Sequence, residues 1–298
     1  MGFLSFRAAL LLIIIVFLPG ISWAETCASS FAELGDRAPM RRDLGALIKQ
    51  GRWQEAAWQA REAGDPATAV KIEKRLARYL ETAPILKEKE FAKSGSSEVY
   101  FVDLGRGVRA VFKPNPKFWR ARRIMPFHDD ASAERELAGH AFDRAVSGHM
   151  VPVTVKRKID GMEGSLQVWV SFDEAGSAAS EASGFRAEDR LAVMDYMMGT
   201  FDRSPANRPA LKGAPVAIDQ GLAFIGKAPH YSFGIKAPPS ATEISDLAKY
   251  GAALRSFRDL DPEKIRSAIS PFLKAEEVEQ CLARVRKVIE LRAEASKP

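Results

Sequence analysis

The sequence predicts an α+β protein of two lobes, in which a small strand-rich lobe is followed by a mainly helical lobe. Two observations support this prediction. Short β-rich runs are concentrated between residues 91 and 170, and apolar residues at three- and four-residue spacing dominate from residue 186 onward. This order of strands and then helices is typical of α+β folds that place a ligand cleft between two lobes.

The composition excludes several classes of protein. Of the 298 residues, 46% are hydrophobic and 28% are charged, which is close to the globular average and excludes disordered, collagen-like and disulfide-dense chains. The net charge of +6 is too small and too dispersed to indicate a nucleic-acid partner. The two cysteines, Cys27 and Cys281, and the four scattered histidines do not have the spacing of a zinc site.

Residues 1–24 have the layout of a secretory signal peptide. Arg7 precedes the apolar run AALLLIIIVFLP, and the small residues Ser22 and Ala24 suit a cleavage site. The run is too short for a comfortable membrane span, and an uncleaved anchor is the alternative. We therefore expect a periplasmic or secreted protein. Export permits a Cys27–Cys281 disulfide, and two unpaired thiols are the alternative.

A helical region over residues 25–88 is predicted to precede a second domain over residues 89–298. Apolar residues at helical spacing run from Leu44 to Leu76, with breaks at Gly51 and before Pro66. One copy of a helical-hairpin pattern is visible, and this favours a structural cap over a binding array, because repeats need several copies to bury a core. Within the second domain, the strand-rich lobe is expected over about 89–172 and the helical lobe over about 173–298.

The second domain divides into predicted strands and helices. The strand-rich lobe is predicted to contain one helix, Ala133–Val146, and four strands: Val99–Val102, Val108–Phe112, Val151–Val155 and Leu166–Val170. The helical lobe is predicted to contain four helices: Arg190–Gly199, Ala241–Ser256, Pro262–Ile269 and Ala275–Ala295.

Three features of the strand-rich lobe suit phosphate binding. Small residues at Ser94–Ser97 precede the first strand and would let backbone N–H groups approach an anion. Lys113 ends an apolar strand on the same face as Val111, where a buried ammonium would need an anionic partner. Glu136 on the following helix is a candidate partner and Glu134 is its rival. The alternatives are a surface lysine and a solvated helix face.

Two features of the helical lobe suit metal binding and catalysis. The segment TFDRSPAN carries Asp202 and Asn207 five positions apart, as in phosphoryl-transfer loops where the aspartate orients a hydroxyl and the asparagine holds a metal. A buried strand is predicted at 216–218, ending in Asp219, whose carboxylate suits Mg²⁺, and in Gly221, which would ease the turn. Each motif is weak alone, but Lys, Glu, Asp-x4-Asn and Asp-x-Gly follow the chain order of kinases.

Several blocks resemble the type II phosphatidylinositol 4-kinases of the phosphatidylinositol 3-/4-kinase-like superfamily. They are RAVFKP, ELAGHAFD, EGSLQVWVSFDEA, RLAVMDYMMGTFDRSPANR and VAIDQGLAFIGKAP, and the resemblance covers roughly residues 93–295. It implies a bilobal protein-kinase-like fold and transfer of the γ-phosphate of ATP, with Mg²⁺ or Mn²⁺, to a hydroxyl of an inositol lipid or a protein. The blocks are also similar, more distantly, to kinases of the actin-fragmin and secretory-pathway groups.

The resemblance also implies a role for each candidate residue. Lys113 would bind the phosphates of ATP with Glu136 as its partner, and Asp202 would be the catalytic aspartate. Asn207 and Asp219 would hold the metal. The remaining nucleotide-binding residues would be Ser96 and Ser97 in the phosphate loop and Gln167, Val168 and Val170 beside the adenine.

The chain departs from those lipid kinases in two respects. The cysteine cluster that follows the lysine strand in that family is replaced by KPNPKFWRARRIMPFHDD, and the family does not normally begin with a signal peptide. Basic and aromatic residues at 117–123 could contact an anionic membrane, or they could form an exposed basic loop. Two other functions stay open: a catalytically inactive nucleotide-binding pseudokinase and a secreted module that binds a membrane or a partner.

Overall fold

The computed structural model describes residues 38–86, 90–91, 99–115, 132–172, 187–201, 203–211, 214–225 and 241–297. The helices are α1 (Ala38–Lys49), α2 (Trp53–Glu62), α3 (Pro66–Thr82), α4 (Ser132–Ala145), α5 (Ala187–Met198), α6 (Ala241–Ile244), α7 (Leu247–Ser256), α8 (Pro262–Ile269) and α9 (Ala275–Ala295). The strands are β1 (Glu90–Phe91), β2 (Tyr100–Asp103), β3 (Arg109–Pro114), β4 (Thr154–Ile159), β5 (Met162–Val168), β6 (Ala210–Leu211) and β7 (Ala214–Pro215). The predicted α+β class is confirmed.

The first five strands form one antiparallel sheet in the order β1-β2-β3-β5-β4. The turn between β2 and β3 closes through a hydrogen bond from the Leu104 N–H to the Val108 carbonyl, 3.0 Å long. In the register of the sheet, Lys113 of β3 lies opposite Ser165 of β5. Strand β3 has a partner on each side, so the backbone that carries Lys113 is held in place by both neighbours.

Helices α1, α2 and α3 cover one face of this sheet. Leu44, Ile72 and Leu76 from these helices share an apolar core with Phe112 and Leu166 from the sheet. The opposite face carries Val111 and Lys113, because side chains alternate along a strand. The N-terminal helices therefore cover the sheet, as expected of a structural cap. The domain boundary near residue 88 stays a prediction.

Two long-range hydrogen bonds fix α2 against the segment before β4. The Trp58 Nε1–H donates to the His149 carbonyl at 2.7 Å. The Val153 N–H donates to Gln54 Oε1 at 2.8 Å. Strand β4 starts at Thr154 and not at the predicted Val151, because side-chain acceptors take the N–H groups that a longer strand would use. The Val151 N–H donates to Asp143, and the Val153 N–H donates to Gln54.

The helices of the second lobe pack around a separate apolar core. Met194 of α5, Leu254 of α7, Ile265 of α8 and Leu282 of α9 are fully or almost fully buried in it. Cys281 also lies there as a free thiol, and burial raises the pKa of this thiol to about 12. Cys27 lies outside the described residues, so its pairing with Cys281 stays a prediction.

One predicted helix is two helices in the structure. The predicted span 241–256 is divided into α6 and α7 because Asp246 accepts hydrogen bonds from the N–H groups of Ala248 and Lys249 and so starts a new helix. In the described part of the chain, no helix is long and apolar enough to span a membrane. The predicted signal peptide, residues 1–24, lies outside the described residues.

Candidate active site

Two acidic side chains from distant parts of the chain contact the ammonium group of Lys113. Its Nζ lies 2.5 Å from Glu136 Oε1 on α4 and 2.8 Å from Asp219 Oδ1 in the segment after β7. The exposed fractions are 20% for the Lys113 side chain, 3% for Glu136 and 48% for Asp219. The structure therefore brings together the lysine and the two carboxylates that the sequence singled out.

The charges of this cluster explain its pKa shifts. Burial alone would lower the pKa of Lys113, but Asp219 and Glu136 outweigh burial and raise this pKa above its usual value. Burial raises the pKa of Glu136, while Lys113 and the Gln220 N–H act in the opposite direction. Two carboxylates and one ammonium leave a net charge of −1, which attracts a cation.

Helix α4 makes a close contact with the residue after Asp219. A Cβ at Gly139 would lie 2.7 Å from Gln220 Cγ and 2.9 Å from Gln220 Cβ, so only glycine fits. Gln220 is fully buried, and its backbone N–H bonds to Glu136. These contacts hold helix α4 against residues 216–220, the Asp219 segment, close to Glu136.

The Asp219 segment is an extended stretch and not the strand that the sequence predicted. Its N–H groups bond to two parts of the chain: Val216 to Pro209 O at 2.8 Å and Ile218 to Asn207 O at 3.2 Å on one side, and Ala217 to Met150 O at 3.0 Å on the other. The bonds to Asn207 and Pro209 follow on from the β6–β7 hairpin, but the regular pairing of β6 with β7 stops at Pro215. Asp219 itself has a φ of +59°, a left-handed conformation that aspartate tolerates better than most residues.

Arg203 is a functional candidate that the sequence analysis missed. Its guanidinium bonds both carboxylate oxygens of Asp195 on α5, and it donates to the carbonyls of Asn207 at 2.6 Å and Ile218 at 2.7 Å and to Gln220 Oε1 at 2.9 Å. Burial raises the pKa of Asp195, and the Arg203 guanidinium opposes this rise. The available signal was Asp195 itself, an acidic residue inside the apolar run LAVMDYMM.

The predicted adenine-side residues divide between the two faces of the sheet. The Gln167 side chain lies on the Lys113 face and donates to Thr154 Oγ1 at 2.9 Å. Val168 and Val170 point into the core beneath the N-terminal helices, so only their main-chain atoms can contact a ligand on the Lys113 face of the sheet. Trp169, between them, packs edge-on against Phe101, with ring centroids 5.2 Å apart. The alternation along LQVWV places Trp169 on the same face as Gln167.

The remaining candidates are partly resolved by the structure. Glu134 accepts a hydrogen bond from Asn115 Nδ2 at 2.7 Å, so Glu136 and not Glu134 is the partner of Lys113. Asp202, Ser96, Ser97 and the basic segment 117–123 lie outside the described residues.

The donors at this site fit a divalent metal that arrives with phosphates. Asp219 presents a half-exposed carboxylate, and the Ile218–Asn207 hydrogen bond brings Asn207 to the same segment. In the described residues, no three His, Cys, Asp or Glu side chains cluster as ligands. Mg²⁺ commonly takes one or two protein oxygens and completes its octahedron with phosphate and water, so a set of this size suits it.

Comparisons with known proteins identify the fold. No family model and no curated protein matches the chain. The Helicobacter pylori proinflammatory kinase CtkA is similar with a TM-score of 0.50 and 12% identity, over 72% of this chain and 96% of that chain. The Golgi casein kinase with Mn and ADP bound gives a TM-score of 0.47 and 15% identity, over 76% of this chain and 77% of that one. Hydra Fam20 with sugar gives 0.46 and 12%, over 76% and 89%.

At such identities, a structural likeness shows the fold alone. By their descriptions, none of these three proteins is a phosphatidylinositol kinase. The likeness to the kinase CtkA covers most of that chain. In this chain a small antiparallel sheet precedes a mainly helical lobe. The chain therefore has a bilobal protein-kinase-like fold of the α+β class.

Proposed function

We propose that this protein is an exported ATP-dependent kinase that transfers the γ-phosphate of ATP to a hydroxyl acceptor. The observation that carries the proposal is the position of the Lys113 ammonium between Glu136 and Asp219, two carboxylates from separate segments. Burying charges costs several kcal/mol for each ion unless the pairing is very good. A surface lysine with a purely structural task would not need such an arrangement.

Each residue has a definite task in this proposal. Lys113 binds the α- and β-phosphates, and Glu136 holds the ammonium in place. Asp219 and Asn207 would hold Mg²⁺ or Mn²⁺, which would supply the positive charge that neutralises the phosphates. Asp202 orients the acceptor hydroxyl and accepts its proton. Arg203 fixes the backbone at Asn207 and at Ile218, the residue before Asp219.

The acceptor and the compartment are further parts of the proposal. The resemblance to type II phosphatidylinositol 4-kinases supports an inositol lipid, and a protein hydroxyl is the second candidate acceptor. The segment 117–123 would hold the enzyme at an anionic membrane surface. A signal peptide at residues 1–24 would direct export to the periplasm or the exterior, and we expect no nucleic-acid partner.

The test is phosphate transfer by the purified mature protein. We expect binding of ADP with Mg²⁺ or Mn²⁺ in a calorimetric titration, and transfer of radiolabelled phosphate from ATP to mixed lipids or proteins. Asp219→Asn and Lys113→Met should each lower transfer at least about 100-fold, as the loss of a transition-state clamp does.

Lys156→Met is the matched control, because Lys156 pairs with Glu163 on the same sheet but both side chains are more than half exposed. It should leave transfer unchanged. Transfer that survives Asp219→Asn would overturn the assignment. Nucleotide binding without transfer to any acceptor would instead support the pseudokinase function.

A further inference from the structure

A cavity lies away from the Lys113 cluster. It has a volume of about 240 Å³ and is lined by α2, the loop at Gly148–Met150, the first turn of α5 and the β6–β7 hairpin. It is slightly smaller than the about 300–1,000 Å³ of sites for drug-sized ligands, and this suits a smaller molecule.

Most of the wall of this cavity is apolar and rigidly held. Trp58, Met150, Leu211 and Pro215 line it. The Trp58 indole is fixed by its hydrogen bond to the His149 carbonyl at 2.7 Å, so the ring does not have to be ordered when a ligand enters. A preformed aromatic and aliphatic wall favours a ligand with an apolar body.

Arg190 gives the cavity a positive charge. In the described part of the chain, no carboxylate lies within ion-pair distance of its guanidinium, which donates to the Ser147 carbonyl at 2.8 Å and lies over the Phe257 ring. Burial lowers the pKa of Arg190, and Asp143 only partly opposes this effect. A buried cation with neutral partners is stabilised by an incoming anion.

Two of the other charged residues of the wall already have ion-pair partners. Arg61 forms an ion pair with Glu73 at 2.7 Å, and Glu55 forms one with Arg52. Glu62 is exposed at the surface. Arg190 is thus the charged group of this wall with most to gain from a ligand.

A polar group on the wall is also held in an unusual conformation. His149 has a φ of +58°, and its Nδ1 is buried without a hydrogen-bond partner. A non-glycine residue in this region costs of the order of 1–3 kcal/mol, and such strain is found preferentially at binding and active sites.

We propose that this cavity is a binding site for a small apolar molecule with one acidic group, such as an aromatic carboxylate. The acid pairs with Arg190, and the apolar body contacts Trp58 and Leu211. The residues that line the proposed site do not include Lys113, Glu136 or Asp219, so its ligand is distinct from the nucleotide. The inference does not depend on kinase activity.

The probe for the test is 2-naphthoate, titrated calorimetrically into the mature protein, with the neutral 2-naphthamide for comparison. We expect 2-naphthoate to bind with a Kd of about 1 mM or tighter, as is usual for a molecule of this size. The amide should bind about tenfold more weakly, because it cannot form the ion pair. Equal affinities, or no binding at several millimolar, would overturn the proposal.

Two variants locate the site. Ala214→Trp fills the mouth of the cavity from an exposed hairpin position and should abolish binding. Arg190→Gln should weaken it about tenfold, and circular dichroism checks that each variant is folded. Arg255→Gln is the control, since Arg255 also donates one 2.8 Å hydrogen bond to a carbonyl but lies elsewhere. Binding that is unchanged in Ala214→Trp would place the ligand outside the cavity and refute the inference.

Discussion

The contact between α4 and Gln220 can be tested with a single added methyl group. In Gly139→Ala, the new Cβ would lie 2.7 Å from Gln220 Cγ and 2.9 Å from Gln220 Cβ. These atoms are near the backbone of a fully buried residue, so they cannot rotate away as the end of a long side chain does. Overpacking of this kind costs about 1–3 kcal/mol.

The intrinsic helix preference acts in the opposite direction and has to be separated from the clash. Alanine is favoured over glycine inside a helix by about 1 kcal/mol. Gly45 in α1 supplies the control, because a Cβ there meets no atom within 4 Å. We expect Gly45→Ala to stabilise the protein by up to about 1 kcal/mol, and the difference between the two variants to equal the clash, about 1–3 kcal/mol.

Guanidinium denaturation of both variants measures this difference. The clash should also displace α4 and with it Glu136, so Gly139→Ala should weaken the binding of ADP and Mn²⁺ while Gly45→Ala does not. In a Gln220→Gly background the clash has no partner, and Gly139→Ala should then be stabilising. Equal stabilisation by the two alanines in the native background would refute the close contact.

Two further predictions concern Arg203 and His149. Arg203→Lys keeps the charge but loses the guanidinium that binds Asp195 and the two carbonyls, so kcat for phosphate transfer should fall about 10–100-fold. Arg208→Lys is the control, because Arg208 forms an exposed ion pair with Glu188, and it should leave kcat unchanged. Equal effects of the two variants on kcat would contradict the positioning role of Arg203. Burial, aided by nearby arginines, lowers the pKa of His149 to about 3, below the value of about 6.5 in the unfolded chain. The unfolded chain therefore binds the proton first, and the free energy of unfolding should fall as pH decreases below 6.5, by up to about 1.4 kcal/mol per pH unit for this group. His149→Asn, which tolerates the positive φ, should make this pH dependence shallower, and an unchanged slope in urea denaturation would exclude the effect.

The sequence predicts best those elements whose signals are local. Helices α8 and α9 begin and end where predicted, and α8 illustrates why: Asp261 caps its N-terminus and Pro262 opens its first turn. The pairing of Lys113 with Glu136 was also accessible, because a buried strand lysine needs an anionic partner. In α8 one short segment contains both the cause and the effect.

The parts that could not be predicted depend on partners far away in the chain. The Asp219 segment takes its hydrogen bonds from residues 207 and 209 on one side and from residue 150 on the other, so no alternation along the segment itself could reveal its conformation. Arg203 likewise gains its importance from Ile218 and Gln220, which a reading of local spacing does not connect to it. Charge and apolar patterns identify the members of such a network but not its connections.

The cover that α1, α2 and α3 form over the sheet has a consequence for the order of folding. Gln54 and Trp58 bond to residues 99 and 91 positions later, respectively. At the usual rates of synthesis, roughly 5–20 residues per second, these helices emerge roughly 5–20 s before their partners exist. During this interval the apolar faces of these helices are exposed to water, to one another and to any chaperone that binds hydrophobic helices. The small lobe can assemble only after β5 has left the ribosome.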